Sequence, residues 1–174
     1  MPATTRLIHP ADADRLAELQ SAGRDFFAPW DKERDEAWFT AAGQAAEIAG
    51  MLERYERGEV VPHVILAPDR HAVGRITLTG IVRGPFQSAS MGYWLSPDVN
   101  GRGYTTDAVR AMLALAFGEL GLHRVEASTL LHNERSQRVL ERAGFTRIGM
   151  APRYLRIDGR WQDHYLFQRL ADED

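Results

Sequence analysis

The chain has 174 residues, no cysteine and a formal net charge of −3 at pH 7. This length suits one domain with a substantial core, and the lack of cysteine excludes disulfides, thiolate metal sites and a cysteine nucleophile. The weakly negative charge argues against nucleic acid or a membrane as the main ligand, and no apolar run suits a signal peptide or a transmembrane helix. We therefore expect one domain over residues 1–174, cytoplasmic and without a metal.

The N-terminal part is predicted to be mainly helical. A short strand is expected at Arg6–Ile8, followed by a helix over Asp12–Gln20. After an aromatic loop at Phe26–Trp30, a longer helix is expected from about Asp35 to Arg57, and Gly58 is placed to end it. Apolar side chains recur along one stripe of that longer helix, which is typical of an amphipathic helix.

The middle of the chain is predicted to be β-rich. Strands are expected at His63–Ala67 and Ala72–Val82, joined by a turn at Pro68–His71. The segment Arg83–Phe86 interrupts the strand pattern, which resumes at Ala89–Leu95. Three successive strands are therefore expected in this region.

The run from Met91 to Thr106 is the most informative stretch. An apolar strand-like segment enters a glycine-bearing loop, and the loop opens directly into the most periodic helix of the chain. Its apolar positions are Val109, Met112, Leu113, Ala116, Phe117 and Leu120, and Gly121 is placed to end it. This arrangement places several backbone N–H groups at the N-terminus of a helix, where the helix dipole is positive and a phosphate group can bind. The alternative interpretation is that this glycine-bearing connection is only a turn between the strand and the helix.

Two common nucleotide motifs do not fit this loop. Gly101-Arg102-Gly103 is followed by Tyr104-Thr105-Thr106, so the third glycine of the dinucleotide fingerprint is absent. No Gly-Lys-Ser/Thr follows, which excludes a P-loop. The histidines are scattered and form no metal-binding motif, and structural roles are the simpler interpretation for them.

The C-terminal part alternates strand and helix. A strand is predicted at Arg124–Leu131, and Asn133 is a suitable N-cap for a helix that runs through Ala143 and ends at Gly144. Three closing strands are expected at Thr146–Met150, Tyr154–Ile157 and Trp161–Leu170, with a hairpin turn at Asp158-Gly159. The expected fold class is α+β.

Two further segments carry a family resemblance. His123–Thr129 leads to Asn133-Glu134-Arg135-Ser136 and then to Val139–Phe145. Together with the glycine loop, these segments resemble the GNAT acetyltransferase superfamily over most of the chain. Its coenzyme signature, Gln/Arg-x-x-Gly-x-Gly/Ala, falls on Asn100, Gly103 and Thr105, of which only Gly103 follows the pattern.

Within the superfamily the chain resembles the Rim-type ribosomal-protein alanine N-acetyltransferases, and the RimJ subgroup most of all. The supporting segments are Phe27-Ala28-Pro29-Trp30, Ile81–Phe86, Asn133-x-x-Ser136 and Tyr154–His164. The resemblance implies an acyl-CoA N-acyltransferase fold with a central mixed sheet of six to seven strands, splayed parallel strands and flanking helices. It also implies acetyl transfer from acetyl-CoA to an amine, with the N-terminal alanine of a ribosomal protein as the expected acceptor.

Other acceptors and roles stay open at this point. Related members acetylate polyamines, amino acids or antibiotics, so a small amine is an alternative acceptor. A non-catalytic acyl-CoA-binding module is an alternative of a different class. The chain is compatible with a monomer or a homodimer.

The resemblance also implies where the coenzyme and the catalytic groups lie. One wall of the coenzyme site would consist of Trp94, Leu95 and Ser96, and the other wall would include Asn133 and Ser136. The pyrophosphate would be held by the loop and first helical turn, that is by Asn100, Gly101, Arg102, Gly103, Tyr104, Thr105 and Thr106. A backbone N–H near Leu95 would bond the thioester carbonyl, and Ser136, or alternatively Tyr154, would support the departing thiolate.

The acceptor side is expected to involve Phe27, Trp30, Arg83, Gly84, Phe86 and Tyr93. No general base is assigned, because Leu155 occupies the place where some Rim-type members carry an acidic residue; Glu126 is a candidate for holding a water. A strong base is unnecessary for an α-amine, whose pKa is about 7.7–8.0. A lysine amine with a pKa near 10.4 would cost about 3–4 kcal/mol more to deprotonate, which favours an N-terminal acceptor.

Overall fold

Residues 3–171 are described by a computed structural model, and their strands form one mixed sheet of seven. The strands are β1 (Thr4–Leu7), β2 (Val61–Leu66), β3 (Ala72–Val82), β4 (Ser88–Leu95), β5 (Arg124–Leu130), β6 (Thr146–Ile157) and β7 (Arg160–Leu170). They are ordered β1-β2-β3-β4-β5-β7-β6, and among these seven described strands β4 and β5 form the one parallel pair. The predicted α+β fold with a mixed sheet is confirmed.

Within residues 3–171, five α-helices flank the sheet: α1 (Ala13–Ala22), α2 (Arg24–Phe27), α3 (Ala41–Glu56), α4 (Tyr104–Ala114) and α5 (Glu134–Arg142). A π-helical turn at Leu115–Glu119 extends α4, and short 3₁₀ turns occur at Pro10–Asp12, Ala28–Trp30, Glu36–Phe39 and Pro97–Val99. No helix within residues 3–171 combines the length and the apolar character needed to cross a membrane.

Two N-terminal predictions differ from the structure. The aromatic segment, predicted as a loop, forms helical turns in α2 and in Ala28–Trp30. The single helix predicted from Asp35 to Arg57 is interrupted at Thr40, whose hydroxyl accepts from Gly43 N at 3.0 Å. Because a capping side chain satisfies the first free N–H groups of a helix, α3 begins there instead of at Asp35.

Apolar clusters lie on both faces of the sheet. On one face, β3 and β4 pack against α4 through a cluster that includes Ile76, Leu78, Met91, Val109 and Met112. On the other face, α1 and α3 cover β2 through a cluster that includes Leu16, Leu19, Ile48, Met51 and Val64. The sheet is therefore held between two helical layers, and β4 lies in its middle.

The parallel strands β4 and β5 diverge. Their pairing covers only Ser88–Ser90 against Arg124–Glu126, after which β4 runs on to Leu95 and β5 to Leu130. β4 stays paired to β3 and β5 stays paired to β7 along these diverging segments. Each strand is thus fixed from its outer side while a gap opens between them, as the resemblance implied.

Candidate active site

The gap between β4 and β5 is a cleft of about 380 Å³. Its walls come from the end of β4, the glycine loop, the start of α5 and the aromatic segment around α2. Nine of the predicted site residues line it: Phe27, Trp30, Tyr93, Trp94, Leu95, Asn100, Thr105, Asn133 and Ser136. Folding thus brings three separated parts of the chain to one cleft, within residues 26–30, 93–105 and 132–139.

The backbone N–H of Leu95 is directed into this cleft. Along an antiparallel strand, successive residues direct their N–H and C=O groups to opposite neighbours. Ser96 N donates to Val73 O of β3 at 2.8 Å, so the N–H of the preceding residue faces the other edge. At that level β5 has already diverged, and the Leu95 N–H is available to a carbonyl oxygen bound in the cleft.

Gly74 sets the position of this donor. It lies opposite Leu95 in the β3–β4 pair, and a Cβ at Gly74 would overlap the carbonyl oxygen of Trp94 and meet Leu95 Cα at 3.0 Å. We expect Gly74→Ala to displace the Trp94–Leu95 peptide and to lower kcat about tenfold, because small misplacements of a catalytic group are costly. Steady-state kinetics would measure the loss, with Gly149→Ala in β6, where a Cβ has no neighbour within 4 Å, as the matched control. Unchanged kcat in a folded Gly74→Ala protein would contradict this role.

The start of α4 presents backbone N–H groups that no side chain of residues 3–171 caps. By contrast, Thr40 caps α3 and Asn133 caps α5. The loop before α4 reaches the helix through Gly101 and Gly103, which have φ of 81° and 83°, values that favour glycine. Free N–H groups at a positive helix end suit a phosphate group, so the donor set present here fits a coenzyme diphosphate.

Ser136 and Tyr93 form a hydrogen-bonded pair within the cleft. The two hydroxyl oxygens are 2.7 Å apart, and Ser136 N donates to Asn133 Oδ1 at 3.2 Å. Burial raises the pKa of Tyr93 to about 12, although the Ser136 hydrogen bond opposes that rise. The phenol therefore keeps its proton near neutral pH, and when it donates to Ser136 Oγ, the serine O–H is free to donate into the cleft.

Several predicted coenzyme residues lie outside the cleft. Ser96 is buried and its hydroxyl donates to Asp98. Arg102 and Tyr104 line a separate cavity of about 330 Å³. Gly101, Gly103 and Thr106 shape the loop and the first turn of α4 without lining the cleft.

The predicted acceptor residues Arg83, Gly84 and Phe86 are not brought to the cleft. They lie in the β3–β4 turn, which is at the paired, closed end of β4. Arg83 donates to Leu120 O and Gln87 Oε1, and the side chain of Phe86 is half exposed. β4 runs from this turn toward Leu95. The part of β4 that pairs with β5 therefore lies between these three residues and the open end of the gap.

Tyr154 is also separate from Ser136. It packs its ring against His164, with centroids 5.7 Å apart, and is 44% exposed. Together with Glu126 it lines a small pocket of about 90 Å³ at the point where β4 and β5 begin to diverge. The structure thus places Ser136, with Tyr93 beside it, in the cleft, and places Tyr154 elsewhere.

The sequence analysis missed several residues that line the cleft: Phe26, His132, Glu134, Arg135, Arg138 and Val139. The two arginines are three residues apart on α5 and share one face of that helix, which was an available signal. The rings of His132 and Trp30 lie 5.4 Å apart, so the β5–α5 connection meets the aromatic segment across the cleft. That contact joins residues far apart in sequence and has no local signal.

Comparison with known proteins places the chain in a family. Residues 4–146 match the acetyltransferase (GNAT) domain. The chain is 38% identical over 170 residues to the probable N-acetyltransferase YjcK of Bacillus subtilis, covering 97% of this chain and 94% of that protein. It is 33% identical over 162 residues to the [ribosomal protein uS5]-alanine N-acetyltransferase of Escherichia coli, covering 92% and 84%.

A solved structure agrees with these relatives. RimJ of Mycobacterium smegmatis, determined in complex with CoA-disulfide, superimposes with a TM-score of 0.92 at 29% identity, covering 96% of this chain and 81% of that one. The domain match, the sequence relatives and the superposition thus all point to acetyltransferases. The chain therefore belongs to the GNAT family and is an acetyl-CoA-dependent N-acetyltransferase.

Proposed function

We propose that this protein acetylates the N-terminal α-amine of a ribosomal protein, an alanine in particular, by direct attack in a ternary complex. One observation carries the proposal: a single cleft holds the Leu95 N–H, the paired Ser136 hydroxyl and, at one end, the uncapped start of α4. The Escherichia coli relative that modifies ribosomal protein uS5 aligns with 92% of this chain and supports this acceptor class.

Acetyl-CoA would bind along β4. The uncapped backbone N–H groups at the start of α4, which reaches the cleft at Thr105, would hold its diphosphate, and the pantetheine arm would lie in the gap between β4 and β5. Arg135 and Arg138 on α5 add positive charge to the lining of the cleft. When bound, acetyl-CoA supplies an activated acetyl thioester.

The residues of the chain would act on the reaction in two ways. The Leu95 N–H would donate to the carbonyl oxygen of the acetyl group, where negative charge develops during attack by an amine. The Ser136 hydroxyl, oriented by Tyr93, would donate to the sulfur as the C–S bond breaks. The proton lost by the amine goes to solvent. Glu126 is the candidate carboxylate for holding a water at the point where β4 and β5 begin to diverge.

An acceptor comparison tests the acceptor class. We expect release of free thiol from acetyl-CoA with a peptide that begins with alanine, and a mass increase of one acetyl group at its N-terminus by intact-mass analysis. The control is a peptide whose N-terminal amine is blocked and whose sequence contains an internal lysine. It should not react. Turnover of spermidine without turnover of peptides would refute the ribosomal assignment and favour a small-amine acceptor.

The pH profile gives a second test of the acceptor amine. Only the neutral amine attacks, so kcat/KM for an α-amine should rise with pH and level off above about 8. The raised pKa of Tyr93, about 12, means that the Tyr93–Ser136 pair does not lose its proton in this range. A profile that continues to rise toward about pH 10 would instead indicate an acceptor with a lysine-like amine.

A further inference from the structure

A second chamber of about 370 Å³ lies beside the cleft, on the face of the sheet that α1 and α3 cover. We define it by Asp31, Arg34, Glu47, Arg54, Arg75 and Trp94, which line it with neighbouring residues. It shares Phe27, Trp30, Tyr93 and Trp94 with the cleft. A molecule in the second chamber is therefore separated from the cleft only by β4 and the aromatic segment.

Two buried donors of this chamber lack an acceptor. Arg75 Nη1 and Trp94 Nε1 form no hydrogen bond with any residue from 3 to 171, and both atoms are buried. Arg75 and Trp94 are register partners on β3 and β4, so their side chains project from the same face of the sheet, side by side. Buried donors are nearly always paired in folded proteins, so these two N–H groups are suited to donating to an oxygen of a molecule bound in the second chamber.

The charges in the second chamber favour an anionic ligand. Arg34 is paired with Asp31 at 2.8 Å and Arg54 with Glu59 at 3.7 Å, whereas the ion-pair partner of Arg75 among residues 3–171 is Glu47, at the longer distance of 3.8 Å. The lining holds three guanidinium groups and two carboxylates. Burial lowers the pKa of Arg75 from its usual value, which reflects the cost of a buried, poorly paired cation.

We propose that the second chamber binds an acidic side chain of the acceptor, located within the first few residues after the amine that enters the cleft. Arg75 and Trp94 donate to its carboxylate oxygens. This inference rests on the proposed function and makes it narrower, because it names an acidic N-terminal segment as the substrate class. It also disfavours polyamines, whose second ammonium group would face the poorly paired Arg75.

Matched peptides test this specificity. Each peptide begins with alanine, has an amidated C-terminus and carries a single glutamate at the second, third or fourth residue, and each has a glutamine counterpart. We expect at least one glutamate peptide to exceed its counterpart in kcat/KM by about tenfold, the size of one hydrogen bond to a charged group. Arg75→Gln should bring that ratio close to one, mainly by raising KM for the glutamate peptide.

Two further variants guard against a folding artefact. Arg75→Lys keeps the charge but lacks the guanidinium geometry, and should keep part of the preference. Arg110→Gln alters an exposed arginine of α4 outside the second chamber, whose side chain donates to Arg142 O at 2.8 Å, and should leave the preference intact. Thermal unfolding and acetyl-CoA binding confirm that each variant is folded.

A binding measurement separates this inference from the proposed function. The indole N–H resonance of Trp94 should shift when the preferred glutamate peptide is added in the presence of CoA, and should not shift with its glutamine counterpart. Acetylation of both peptides at equal rates overturns the acidic-substrate inference and leaves the proposed function standing. A shift at Trp94 without acetylation supports the binding site and overturns the ribosomal acceptor, while neither shift nor acetylation overturns both.

Discussion

Replacing Asn100 by aspartate is expected to raise the KM for acetyl-CoA roughly tenfold to a hundredfold, with little effect on kcat. Asn100 lines the cleft just before the uncapped start of α4, so a carboxylate there would face the diphosphate. Two unit charges about 6–12 Å apart near a protein surface repel by about 1.4–2.8 kcal/mol, which corresponds to about tenfold to a hundredfold in affinity. Titration with acetyl-CoA and steady-state kinetics would measure the effect, which should diminish as salt is added.

The same substitution should not weaken the fold. A negative charge near the N-terminus of α4 interacts favourably with the helix dipole, by about 0.3–1 kcal/mol, so the Tm of the free protein should stay level or rise slightly. Asn100→Gln is the matched control, because it keeps the amide and restores one of the residue types of the family signature. Equal KM values for the aspartate and glutamine variants would contradict a diphosphate at this helix end.

Replacing Ser136 by alanine is expected to lower kcat roughly a hundredfold while acetyl-CoA binding is retained. The serine hydroxyl lines the cleft and is 2.7 Å from the Tyr93 hydroxyl, and loss of a positioned proton donor costs about this much in other enzymes. The Asn133 cap of α5 is a bond to the Ser136 backbone N–H, so it survives the substitution. Single-turnover kinetics and a separate binding titration would distinguish chemistry from affinity.

Tyr93→Phe is the companion variant. It removes the hydroxyl that orients Ser136 but leaves the serine in place, so its loss of kcat should be smaller than that of Ser136→Ala. The double variant should lose little more than Ser136→Ala alone, because residues that act as a unit are not additive. Full activity of Ser136→Ala with intact binding would show that the sulfur leaves without this group.

Features with a local cause were predictable from the sequence. The N-cap at Asn133 and the glycine loop ahead of α4 both appear where expected, since capping and positive φ depend on residues within one helical turn. The aromatic segment was predicted incorrectly because α2, with four residues, and the Ala28–Trp30 turn, with three, are too short for a helical period to be read. At Thr40, a local cap was present but a continuous helix was predicted across it.

The site itself depends on contacts between distant residues. Tyr93 and Ser136 are 43 positions apart, and they meet because β5 diverges from β4 before the chain returns through α5. Arg83, Gly84 and Phe86 were predicted on the acceptor side because an irregular segment can offer backbone partners to a peptide, yet the direction of β4 places their turn at its closed end. Local patterning contains no information on which end of a strand pair opens.

By itself the sequence determined most of the helices and strands and the glycine loop ahead of α4, because backbone conformation and helix capping are set within a few residues. Only the tertiary structure decided that the loop opens onto a cleft, that Tyr93 holds Ser136, and that Arg75 and Trp94 share a chamber behind it. These arrangements follow from strand register and from the splay of β4 and β5. Register and splay arise from the packing of the whole sheet between its two helical layers, which no short segment specifies.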